Sequence, residues 1–122
     1  MFDQFKAMGA VAGLLKDKER LRETAQRVRD RLEQAKVAGE SGGGAVRVTA
    51  SGAGRVLSVQ VEPALAAGFG DGVNRAIAES LIAEAVNDAL ARAKEAAQKI
   101  IEEEAAELGL GELLPGMRGL MP

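Results

Sequence analysis

Six basic residues fall within seventeen positions of the N-terminal third: Arg20, Arg22, Arg27, Arg29, Arg31 and Lys36. On a helix, the seven-residue step from Arg22 to Arg29 to Lys36 lines one flank, while Arg20, Arg27 and Arg31 fall on or near the other. Cations repeated at one or two helical turns suit backbone phosphates, where they release counterions and give affinity without reading bases. Arg47 and Arg55, further along, extend the same candidate surface. Glu19, Glu23, Asp30 and Glu33 compete for these cations in surface pairs, each worth little. No aromatic residue is interleaved with the basic ones, which favours contact with a duplex backbone over stacking on single-stranded bases.

Other chemistries fare worse. The sequence holds no histidine, cysteine, tryptophan or tyrosine, which removes imidazole and thiolate metal sites, Ser-His and Cys-His nucleophiles, and disulfides. The run "GESGGG", residues 39–44, invites a phosphate-cradle reading. A Walker loop, however, needs Lys and Ser or Thr after its last glycine, where this chain has Ala45 and Val46. The dinucleotide fingerprint must follow a strand and open a helix, whereas these glycines follow a helix and open strands. Glu102, Glu103, Glu104 and Glu107 cluster late in the chain, but consecutive acids on a helix point in different directions and nothing nearby is suited to shifting their titration. The expectation is a non-enzyme without cofactor or metal.

Charge is divided along the chain. Residues 16–36 carry eight Lys or Arg against five Asp or Glu, and residues 71–112 carry four against ten. A basic first part and an acidic second part leave room for an anion-binding face within a protein of net charge −2.

These residues need elements to position them. Leu21, Val28 and Ala35, with Ala25 and Leu32, step by four and three, the spacing of a narrow helical seam on which Lys18 intrudes. That predicts a helix from about Asp3 to Lys36, stopped by Gly39. Three extended runs follow: "KVAGES", the weakest, then "AVRVTAS" with Val46, Val48 and Ala50 inward, and "RVLSVQVE" with Leu57, Val59 and Val61 inward. "SGAG", residues 51–54, reads as their hairpin loop, and Pro63 closes the third strand. "ALAAGFGDG" reads as a loop. A second helix runs from about Val73 to Leu108, with Ile82, Val86, Ala89, Ala93, Ala96 and Ile100 on its seam and Gly109 at its end.

The fold class is therefore α+β, a helix–strand–strand–strand–helix protomer forming one domain over residues 1–122, with residues 109–122 a flexible tail. The second helix would be on the order of 50 Å long. A compact chain of this size has a radius of gyration of about 14 Å, so the helix must project. Projecting seams and unpaired strand edges predict a homodimer. The short apolar run at the N-terminus has an acid before it and no small-residue cleavage site after it, and no stretch approaches the roughly 20 apolar residues of a membrane span. A cytoplasmic protein with no membrane partner is expected.

The order of the pieces resembles the YbaB/EbfC family of bacterial nucleoid-associated proteins. Gly39, Glu40, Ser41, Gly42 and Gly44 match its glycine-rich segment; Glu62, Pro63 and Leu65 match the close of its strands, with Glu for Asp; Ala85, Val86, Asn87, Asp88 and Ala89 match its helical patch, with Val for Phe. The opening "MF" and the closing "LPGM" are also similar. The resemblance implies a tweezer-like homodimer that binds double-stranded DNA with little or modest sequence preference in nucleoid organisation or gene regulation. The matched motifs are structural, so the candidate DNA contacts rest on the charge pattern alone. A second reading is a scaffold dimer whose helices recruit a protein partner, such as a component of the recombination machinery.

Overall fold

The computed structural model describes residues 2–109. Helix α1 covers Phe2–Gln34, and strands β1, β2 and β3 cover Lys36–Ser41, Val46–Ser51 and Val56–Val61. A four-residue helix α2, Pro63–Ala66, and a single 3₁₀ turn lead into α3, Gly72–Glu107. The three strands form one antiparallel sheet in the order β1-β2-β3, so every connection within it is a local hairpin.

Period-two patterning does what it predicts in β2. Val46, Val48 and Ala50 are buried on the face that meets Ala85, Ala89 and Ala93 of α3. Small residues on α3 let helix and sheet approach until backbone touches backbone. A methyl group on Gly39 would lie 2.2 Å from the Ala89 amide nitrogen and 2.7 Å from the Ala85 carbonyl oxygen. Neither atom is free to retreat, so the glycine is a steric requirement. The same seam is fastened by hydrogen bonds: the Glu40 N–H donates to Asp88 Oδ2 at 3.0 Å, and the Ser41 hydroxyl donates to the Leu81 carbonyl. The glycine-rich segment and the helical patch are thus two sides of one joint.

Several boundaries differ from expectation. Helix α1 stops at Gln34, because Lys36 already pairs with Ser51 in the sheet and Ala35 closes the last turn through its N–H to the Arg31 carbonyl. The segment after Pro63 is ordered into α2 and the 3₁₀ turn, since proline suits a first helical turn. Asp71 then caps α3 by accepting from the Val73 N–H at 3.0 Å. Gly109, at φ 76°, ends α3 as expected, and the rest of the expected tail lies outside the described residues.

The inward reading of β3 holds for register but fails for burial. Val59 pairs with Val48 and Val61 with Val46, while an irregularity at Thr49/Ala50 brings Val56 opposite Ala50. Helix α3 lies mainly across β1 and β2 and scarcely reaches β3. Leu57 and Val59 therefore stay 42% and 45% exposed on a strand whose outer edge is unpaired.

Candidate functional site

Helix α1 carries most of the candidate cations, and its contact with α3 decides which of them face solvent. Thr24 is buried there, with Val28, Leu32 and Ala35 half-buried, whereas Leu21 and Ala25 are exposed. The expected seam is therefore turned part of the way out, and polar residues take its place.

The reason is Glu104. Its side chain is only 5% exposed and lies between two arginines of α1. Arg27 Nε donates to Glu104 Oε2 at 2.9 Å, and Arg31 Nη1 donates to Oε1 at 3.0 Å. Arg31 Nη2 also donates to Glu103 Oε2 at 2.7 Å, while Arg27 Nη2 donates to the Thr24 hydroxyl and sits 4.0 Å from a Glu107 carboxylate oxygen. Each carboxylate oxygen of Glu104 thus takes one charge-assisted donor, an arrangement suited to the rigid guanidinium fork. The hydrogen bond from Arg27 is the main cause holding the Glu104 carboxyl below the usual carboxylate range; burial opposes it and Arg31 adds to it. The same bonds raise the two guanidiniums, Arg27 chiefly through Glu104 and Arg31 chiefly through Glu103.

The sequence grouped Arg27 and Arg31 with the other basic residues; the structure separates them. Arg20, on their side of the helix, borders a pocket of about 270 Å³ with Asp17, Leu21 and Leu108. Arg22 and Arg29 are exposed on the opposite flank and make no ion pair among the described residues. Lys18, four residues before Arg22 and exposed, lies on that flank as well, a position the seam reading had assigned inward. Arg22 and Arg29 are separated by about 10 Å along the axis, roughly three base steps of a duplex.

Lys36 leaves the flank of Arg22 and Arg29, because α1 ends at Gln34 and Lys36 is the first residue of β1. Lys36, Glu40 and Arg47 project from the face opposite the Val46–Val48 core, and Arg47 Nη2 meets Glu40 Oε2 at 3.3 Å in an exposed pair. Arg55 is exposed in the β2–β3 connection, beside Glu33, Ser51, Ala53 and Leu57. Its backbone carbonyl accepts the Ser51 N–H at 2.8 Å, which closes the hairpin. The expected set thus divides into a paired couple, Arg27 and Arg31, and an open group of Arg20, Arg22, Arg29, Lys36 and Arg55, with Arg47 lightly engaged.

The glycine run has the geometry of a turn. Gly42, Gly43 and Gly44 have φ of 58°, 66° and 94°, which lets the chain reverse between β1 and β2. It opens no helix of useful length. No helix among the described residues is long and apolar enough to cross a membrane.

Comparison with known proteins adds two findings. The model of the YbaB/EbfC DNA-binding family matches residues 8–108. The solved structure of an uncharacterized protein from Helicobacter pylori, HP0035, is similar in fold, with a TM-score of 0.57 at 22% identity, covering 75% of this chain and 88% of that one.

Proposed function

The chain belongs to the YbaB/EbfC DNA-binding family, and on that premise we propose that it is a homodimeric nucleoid-associated protein gripping double-stranded DNA through backbone phosphates. Sequence preference is little or modest on this reading, and no catalytic step is assigned. The carrying observation is the outward flank of α1, where Arg22 and Arg29 stand exposed and without an ion-pair partner among the described residues, with Lys36 exposed at the start of β1. Lys18, Arg20 and Arg55 add cations around it, and Arg47 joins by giving up an exposed pair that contributes little. Contacts of this type fix the protein on the duplex without reading sequence.

Dimerisation is supported by what a single chain leaves uncovered. Val56, Leu57 and Val59 are exposed on the edge strand β3, and Phe69, Val73 and Ile77 are exposed around the start of α3, Val73 by 72% and Ile77 by 52%. A second copy seated on β3 and the first turns of α3 would cover this apolar surface and shield the strand edge. The α1 helix of each copy would then project from a shared body. A bacterial nucleoid is the setting this assigns.

Exchanging Arg22, Arg29 and Lys36 together for Glu tests the assignment. Retardation of duplex DNA is expected to disappear while the mass of the dimer stays the same; undiminished retardation would refute the assigned surface.

A further inference from the structure

We infer that Glu104 acts as an internal stand-in for a phosphate group, withholding Arg27 and Arg31 from DNA and confining contact to the outward flank of α1. This rests on the DNA-binding reading above.

Arg27 and Arg31 stand one turn apart on α1, and their forks converge on the two oxygens of one carboxylate, at 2.9 and 3.0 Å. Two arginines so placed are equally suited to a phosphodiester, which offers the same paired oxygens. Their side chains remain 51% and 37% exposed, so solvent reaches them although their best donors are spent. Three carboxylates, from Glu103, Glu104 and Glu107, face these two cations. A DNA phosphate approaching the cluster meets an excess of acid. Glu104 also holds the advantage of being already in place, since it pays no association entropy, and its burial limits screening by salt. The consequence is a DNA-contacting set smaller than the basic composition of α1 suggests.

Glu104→Gln keeps the shape of the side chain and removes its charge. Binding to a short mixed-sequence duplex, followed from about 50 to 200 mM salt, is expected to tighten. The slope of log K against log salt should steepen by up to about 1.8, two further phosphate contacts at roughly 0.9 each. Arg27→Gln/Arg31→Gln/Glu104→Gln removes both arginines and the buried carboxylate without leaving a lone buried charge, and its slope should return to that of the parent protein. Circular dichroism reports whether each variant is folded. If Glu104→Gln does not fold, the exposed replacements Glu103→Gln and Glu107→Gln should produce a smaller steepening in the same direction. An unchanged or shallower slope in the folded variants would overturn the inference while leaving the DNA-binding reading intact. A parent protein that fails to bind duplex even at low salt would overturn both.

Discussion

Against the sheet, α3 brings Ala85 and Ala89 so near Gly39 that no side chain fits between them. Toward its other end, the same helix offers α1 a buried carboxylate and receives two guanidiniums. The first contact is steric, made of the smallest residues and fastened through backbone groups. The second is ionic. A close-packed backbone joint is held chiefly by its shape, whereas an ionic joint is held by the charge of its acid. The body of this protein is therefore held by shape, and its N-terminal arm by a buried ion pair that Glu104 keeps occupied.

Breaking the steric joint should have the largest effect. Gly39→Ala forces a methyl group into the α3 backbone, and overpacking of this kind costs about 3 kcal/mol at the upper end of its usual range. A fall in the melting temperature on the order of 10 °C is expected by circular dichroism or calorimetry. A melting temperature within the error of the parent would show that the joint yields more readily than its contacts imply.

Acid should loosen both joints through different residues. Asp88 is held below the usual carboxylate range chiefly by the Glu40 N–H, and Glu104 chiefly by the hydrogen bond from Arg27. A lowered native value means that folding favours the ionised form. The stabilisation is therefore complete at neutral pH, down to the range in which an unfolded carboxylate titrates, and is lost as pH falls through the lower native value. Thermal melts across that range should show a weaker acid dependence in Asp88→Asn and in Glu104→Gln than in the parent. Curves parallel to the parent would contradict the assignment of these groups.

The exposed pair between Arg47 and Glu40 sharpens the comparison from the other side, because it has the ionic character of the arm contact without its burial. Arg47→Gln should change stability by less than about 1 kcal/mol in thermal melts. A larger loss would mean that exposure does not distinguish the two kinds of ion pair here.

Much of the body was legible in the sequence because it is built from local periodicity. Alternation marked β2, Pro63 marked the end of β3, and the Gly39–Ser41 and Ala85–Ala89 segments proved to be partners across one joint. The arm was less legible. Four neighbouring acids near the end of α3 look alike in sequence, and only the rotation of α3 against a helix some seventy residues away selects Glu104 for burial. That choice pairs Arg27 and Arg31 with acids of α3, and their spacing alone could not separate them from Arg22 and Arg29. The exposure of β3 escaped for a related reason. Its alternation gives the correct face, but whether a helix covers that face depends on how far α3 extends across the sheet.

The central claim is that the outward flank of α1 holds a duplex by its phosphates. The most direct test measures the salt dependence of duplex binding for the parent protein and for Arg22→Glu/Arg29→Glu/Lys36→Glu side by side, with the mass of each protein recorded. The account predicts a steep decline of parental affinity with salt and no binding by the variant at any salt concentration, with its mass equal to that of the parent. Equal affinities with equal slopes would contradict it.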